Sequence, residues 1–264
     1  MTEPRRRDDS AREDHRRFEP AFVRALFDEM ARSYERVNTI TSFGFSRRWR
    51  RQAVQAMGTA RGDAVLDAMT GMGEGWRYLV PAIGRVGQIT AVDLSSGMLR
   101  GAETERRRRH LEDLVEIIEG DALQTGLPDD SVDRVLCLFG LKTLSPDQQA
   151  AFAAEIRRIL RPTGTYSLIE VSVPPRALLR VPYLFYLTRV IPWIGRLLLG
   201  NPENYRMLGW YTLRFRDAHA MQATLERAGL EAAFVSYFFG CATGVVGRRS
   251  LGVSDAARFR RSGP

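Results

Sequence analysis

Lysine is all but missing from this chain of 264 residues: Lys142 is the single one among 39 basic residues, and arginine supplies the rest. So complete a bias follows overall composition more than function, which makes the formal charge of +8 a weak argument for a nucleic-acid partner. Where the charge falls weakens it further. Arg5, Arg6 and Arg7 are followed by Asp8 and Asp9, and Arg16 and Arg17 by Glu19, the mixed pattern of a disordered tail over residues 1–20. Arg106 to Arg109 share a predicted helix with Glu103, Glu105 and Glu112, which describes a solvated face, and no aromatics interleave with them to stack bases. Cysteine is scarce as well. Cys137 and Cys241 show neither metal-ligand spacing nor a disulfide framework, so they read as core residues of a reducing compartment. Residues 1–20 are charged and carry no apolar stretch of the secretion-signal type, so a cytoplasmic protein is expected. Long uninterrupted apolar runs are missing too: the greasiest segment, Pro174 to Gly200, is broken by Arg180, Arg189 and Arg196 and falls short of the about 20 residues that span a bilayer.

What is present is a strand, a glycine turn and a second strand ending in an acid. Val65-Leu-Asp-Ala-Met-Thr-Gly-Met-Gly-Glu74 is followed by Ala91-Val-Asp93. Gly71 and Gly73 let a ligand approach the backbone, and Asp93 at a strand end can accept hydrogen bonds from ribose hydroxyls. A dinucleotide fingerprint needs a glycine directly after the strand, where this chain has Ala68, Met69 and Thr70, so an NAD site is disfavoured. The pattern resembles motif I of the class I S-adenosylmethionine methyltransferases, in which an acid at the position of Asp67 faces the cationic methionine end. The plainer alternative is a strand-turn-helix with a structural glycine pair.

With 44% hydrophobic residues the chain can bury one large core, and a single α/β domain with an insertion is expected. Strands are predicted near 63–67, 88–92, 115–118, 132–138, 164–171, 232–238 and 242–247, and helices near 74–83, 96–109, 147–160 and 217–228. Such alternation builds a parallel sheet with helices on both faces, closed by a hairpin at Phe239-Gly240-Cys241. Pro162-Thr163-Gly164 reads as the turn before the fifth strand. The domain spans 21–250, with an N-terminal helical cap over 21–57, a lid or substrate insertion over 174–212 and a tail from 251 to 264. The insertion suits a lid over an apolar substrate or a segment resting on a membrane surface, and a helical pair packed on the sheet is the plainer reading.

Phe27-Asp-Glu-Met-Ala-Arg-Ser-Tyr34 with Asn38, Thr41-Ser-Phe-Gly44 and Arg47-Arg-Trp-Arg50 resembles the N-terminal signature of the menaquinone and ubiquinone biosynthesis C-methyltransferases. The matches continue in order through Asp93-Leu-Ser-Ser-Gly-Met-Leu99, Gly120-Asp-Ala122, Leu138-Phe-Gly-Leu141, Ile156 to Pro162, Asn201 to Leu208 and Thr243-Gly-Val-Val246. The resemblance implies a Rossmann-like seven-stranded methyltransferase sheet and methyl transfer from S-adenosylmethionine to a quinol-like ring or apolar secondary metabolite. It further implies that Asp93 binds ribose, that Asp121 and Ala122 bind adenine, and that Gly71, Met72, Gly73, Met98 and Leu138 shape the pocket. Tyr34 would close over the donor, and Asn38, Tyr205, Arg206 and Trp210 would lie on the acceptor side. Expected partners are a lipophilic small molecule, a membrane surface at the periphery and a second copy of the chain, with neither metal nor nucleic acid.

The departures concern the acceptor. The family's Gly-Gly-Thr-Gly turn becomes Thr70-Gly-Met-Gly73, and its Phe-Gly-Leu/Ile-Arg-Asn becomes Phe139-Gly-Leu-Lys-Thr143. A lone lysine where the family has arginine makes Lys142 a candidate catalytic or acceptor-contacting residue, since it exchanges the planar fork for a titratable amine. His219 reads as a helix-surface residue, and His15 and His110 carry no assignment. Two further readings stay open: a paralogue with another transfer chemistry on a quinone, and a non-catalytic nucleoside-binding protein.

Overall fold

Buried apolar runs between helix signals give strands β1 (Ala64–Ala68), β2 (Gln88–Asp93), β3 (Val115–Glu119), β4 (Val132–Leu138), β5 (Leu160–Val171), β6 (Leu230–Tyr237) and β7 (Ala242–Arg249). The computed structural model describes residues 13–31, 44–193 and 202–249. Its helices are α1 (Pro20–Met30), α2 (Phe45–Ala56), α3 (Trp76–Ile83), α4 (Ser96–Arg108), α5 (Pro146–Ile159), α6 (Ala177–Phe185), α7 (Pro202–Phe215) and α8 (His219–Arg227). The strands form one sheet in the order β3-β2-β1-β4-β5-β7-β6. Neighbours among the first five are parallel, and β7 runs antiparallel to both β5 and β6. Both faces are covered, which is why β1 is almost wholly buried rather than alternating. Trp49, Trp76, Leu79 and Leu99 pack on one face, and Phe152, Ile156, Met221 and Leu225 on the other.

Local chemistry fixes the helix starts near the cleft. Ser145 and Gln148 form a reciprocal capping box with Pro146 in the first turn of α5. Ser95 caps α4 by accepting from the Met98 N–H at 3.1 Å.

Two expectations are corrected. Pro162-Thr163-Gly164 is a bulge inside β5, not a turn before it: the register passes from Val132 opposite Leu160 to Arg134 opposite Thr165. Leu160, the cap of α5, already pairs with β4, so no loop is needed, and a proline without an N–H is tolerated in a bulge. The second concerns residues 13–20, expected within the charged tail. Residues 13–17 are helical, Phe18 is buried, and the Tyr211 hydroxyl donates to the Arg17 carbonyl. Phe18 packs on Trp210 and Tyr211, and Arg17 lies 4.7 Å above the Trp210 ring, so apolar contact holds a segment whose charge pattern suggested disorder. Arg106 to Arg109 form the expected solvated face, each pairing with Glu103 or Glu105. No helix among the described residues is long and apolar enough to cross a membrane.

Candidate active site

Strand order reverses between β1 and β4, and an open α/β sheet leaves a crevice there at the carboxyl ends of its strands. A cleft occupies this place, its empty space about 870 Å³ with the open solvent at its mouth included. Its floor is Met69, Thr70 and Gly71 after β1, Asp93 to Ser95 after β2, Asp121 to Leu123 after β3, and Leu138 to Gly140 at the end of β4. The roof is the N-terminal segment, through Phe18, Pro20, Val23, Arg24 and Phe27.

Asp93 ties the floor together. Its carboxylate accepts from the Gly71 N–H at 2.8 Å and the Ser95 N–H at 2.9 Å, so the two turns after β1 and β2 are fixed by one side chain. Gly71 has φ of 61°, a left-handed conformation that suits glycine. Burial is the main force pushing the Asp93 carboxyl up to about 6, against the two N–H donors that lower it. The Ser95 hydroxyl donates to Asp28 of α1 at 2.7 Å, as does the Gly97 N–H at 2.7 Å, so the roof is hydrogen-bonded to the loop that carries Asp93.

Met69 and Phe139, neither a glycine, hold positive φ of 54° and 69° at the ends of β1 and β4. Their turns nearly touch: a Cβ at Gly140 would lie 2.4 Å from the Met69 sulfur. Backbone strain of this kind, worth about 1–3 kcal/mol each, collects at ligand sites. Phe139 presents its ring to the cleft with the Arg50 guanidinium 5.1 Å from its centroid, and Arg50 pairs with Glu74 at 3.3 Å.

The structure brings Asp93, Gly71, Met98, Asp121, Ala122 and Leu138 together on the cleft. Asp67 lies behind it instead. It is buried, accepts from the Thr70 hydroxyl at 2.5 Å and the Trp76 indole N–H at 3.0 Å, and holds the glycine turn from below. Burial raises its carboxyl to about 7. Met72 and Gly73 also sit off the cleft, Met72 beneath Gly101 and Gly73 against the Trp76 ring.

Lys142 requires the largest correction. Only 7% exposed, its ammonium donates to Glu170 at 2.7 Å and to the Phe139 carbonyl at 3.0 Å, while its own N–H reaches the other Glu170 oxygen at 3.1 Å. It is not among the residues lining the cleft, because Glu170, wholly buried on β5, draws it beneath the Phe139 turn. Tyr205 is buried with Tyr211 and Met30, Trp210 packs at a tilt against Phe18, and Arg206 pairs with Glu203 at the surface. None of these three faces the cleft, since α7 buries its apolar side against α1. Tyr34 and Asn38 lie outside the described residues. His219 is exposed on α8, pairs with Asp217 at 2.9 Å and stacks on Phe234.

Sequence reasoning missed Arg50, Glu74, Val23, Phe27 and Gln148 as lining residues. Arg50 and Phe27 stood inside quoted motifs without a role. Gln148 carried only its capping-box spacing, and its amide also donates to the Phe18 carbonyl at 3.0 Å.

A nucleoside-sized cleft with an acid after β2, at the switch point of a seven-stranded sheet that ends in an antiparallel hairpin, is the construction of a class I S-adenosylmethionine-dependent methyltransferase. Residues 12–248 match the ubiE/COQ5 methyltransferase family, and the chain belongs to that family. It is similar to the demethylmenaquinone methyltransferase of Staphylococcus aureus, 30% identical over 218 residues that cover 83% of this chain and 88% of the relative. Among solved structures it resembles an S-adenosylmethionine-dependent methyltransferase from Aquifex aeolicus, with a TM-score of 0.54, 22% identity, and 75% and 88% of the two chains covered. A Pyrococcus horikoshii protein matches with a TM-score of 0.58 and 18% identity over 82% of this chain and 98% of the other. These two likenesses show the fold alone. Family membership makes the protein an S-adenosylmethionine-dependent methyltransferase of the quinone-biosynthesis type.

Proposed function

We propose that the protein transfers the methyl group of S-adenosylmethionine to a ring carbon of a lipophilic quinol-like acceptor. The observation that carries this reading is the chemistry of the cleft. Its donor end is acidic, with Asp93, Asp121 and Glu74, while its roof and far wall are apolar, with Val23, Phe27, Leu138 and Phe139. A cationic nucleoside fits the first and a greasy ring the second. The relative from Staphylococcus aureus, named for demethylmenaquinone, supports an acceptor of this class.

In this reading Asp93 takes the ribose hydroxyls, and Asp121 with Ala122 holds the adenine edge. Glu74 and Arg50, already paired, separate to meet the ammonium and carboxylate of the methionine end. Leu138 and Met98 pack on the nucleoside. The donor supplies a methyl group already activated on a sulfonium, so the protein's task is to align it with the acceptor carbon and keep water out. The electron pair comes from the ring, pushed by a neighbouring phenolate, and the ring proton leaves after the carbon–carbon bond forms. The roof helix α1 gives Val23 and Phe27 to the acceptor side and, through Asp28, holds the loop that carries Asp93.

The test is turnover of a reduced, unmethylated prenylnaphthoquinone with S-adenosylmethionine, read by mass spectrometry. A product heavier by one methylene, with the new methyl on a ring carbon, is expected. Methylation of a hydroxyl oxygen, or no turnover while the cofactor still binds, would overturn the reading.

A further inference from the structure

Helix α6 turns its apolar side outward. Leu178, Val181 and Phe185, at i, i+3 and i+7, form one stripe and are 92%, 68% and 63% exposed. The other stripe, Leu179 and Tyr183, packs on the core, so the helix is anchored by one side and presents the other. The β6–β7 turn stands beside it: Gly240 abuts Pro175 just before α6, and the Tyr183 hydroxyl donates to the Cys241 carbonyl at 3.4 Å. That turn shows Phe238 and Phe239 to solvent, Phe239 at 66%, and both hold left-handed backbone, with φ of 43° and 56°. Strained backbone that lifts two phenylalanines into water favours neither local folding nor solubility, and it calls for an apolar phase outside the protein.

Charge says which phase. Among the described residues, 44–62, 171–193 and 232–249 carry no acid, and these stretches meet at this face through Phe45 against Phe238 and Pro175 against Gly240. Arg176, Arg180 and Arg189 are exposed there, and among the described residues none of them is paired with a carboxylate, unlike Arg106 to Arg109 on α4. We propose that α6 and the β6–β7 turn together dock on an anionic bilayer surface, the apolar stripe entering the headgroup boundary and the arginines meeting lipid phosphates. The face lies at the same end of the strands as the cleft, the β6–β7 turn standing where β5 ends. Phe238 stacks on Phe45 at 4.2 Å, Phe45 meets Trp49 at 5.8 Å and Trp49 meets Phe139 at 6.5 Å, so aromatic rings run from the docked surface to the cleft wall. That last link rests on the lipophilic acceptor proposed above, whereas docking itself does not.

The experiment is sedimentation of the full chain with phosphatidylglycerol or phosphatidylcholine vesicles. Binding to the anionic vesicles, weakened by added salt, is expected. Phe185→Glu with Phe239→Glu should weaken it by about tenfold or more, while Val86→Glu, an equally exposed apolar site before β2 at the opposite end of the strands, should not. Thermal melting and S-adenosylmethionine binding show that the variants are folded. Absence of vesicle binding, indifference to the double substitution, or an equal loss in Val86→Glu overturns the proposal. So does a wild-type dimer that the double substitution makes monomeric while vesicles are ignored.

Discussion

Asp93 and Asp67 lie on neighbouring strands and do different work. Asp93 opens onto the cleft, so Asp93→Ala should weaken S-adenosylmethionine binding by about 1–3 kcal/mol, measured by calorimetry. Unchanged affinity would remove it from the site. Asp67 is a buried acid whose folded-state carboxyl is raised to about 7 from an ordinary 3.8. A raised acid works against the fold once ionised: the penalty is absent below pH 4, grows as pH rises through 4 to 7 and is complete above that. Asp67→Asn, which keeps an oxygen for Thr70 and Trp76, should therefore gain stability relative to wild type at pH 8 and much less at pH 5. An equal difference at both values, by denaturant melts, would refute it. Lys142 and Glu170 form a buried pair, and breaking one is costly because the other charge stays behind. Lys142→Met should cost about 3–5 kcal/mol, and adding Glu170→Gln should return most of it. Additive losses in the double variant would show that the two do not act as a pair.

At the scale of elements, the roof is the piece whose role is easiest to separate from the floor. Asp28 of α1 holds the Ser95 and Gly97 donors of the loop that carries Asp93. Burial alone would raise its carboxyl, yet those hydrogen bonds and the Arg24 charge hold it below the usual range. Asp28→Asn should loosen α1 and speed cofactor dissociation several-fold in stopped-flow chase, with little change in global melting. An unchanged off-rate would make α1 a bystander. The sheet itself was legible in the sequence, because period and glycine turns are local properties, and β4 falls where the apolar run placed it. What was illegible depended on distant partners. Nothing near Lys142 announces Glu170, which is 28 residues away, and nothing in the charge pattern of residues 13–19 announces Tyr211. The part of the cleft formed by Gly71, Asp93, Asp121 and Leu138 was legible because these residues end strands or follow them directly. The roof was not, because a helix facing a ligand and a helix facing a core have the same period.

Across the whole molecule, charge is divided against itself: the chain is +8 overall, yet Asp93, Asp121 and Glu74 line its cleft, at the end proposed to take the donor. Such a site favours a cation over the neutral thioether left after transfer. S-adenosylmethionine should therefore outbind S-adenosylhomocysteine by a ratio that grows about fivefold from pH 5 to pH 8, as Asp93, raised to about 6, ionises. Competition calorimetry at the two values reads this directly. A ratio independent of pH would mean that the cleft acids do not sense the sulfonium.

The buried Lys142 has one more consequence, for reactivity. Its side-chain amine is the only one in the chain, and it is closed off by Glu170 and the Phe139 carbonyl. An amine-directed acylating reagent can reach that nitrogen only when the turn after β4 opens. The native protein thus carries a built-in clock: the rate at which this one amine is acylated reports how often the floor of its cleft comes apart.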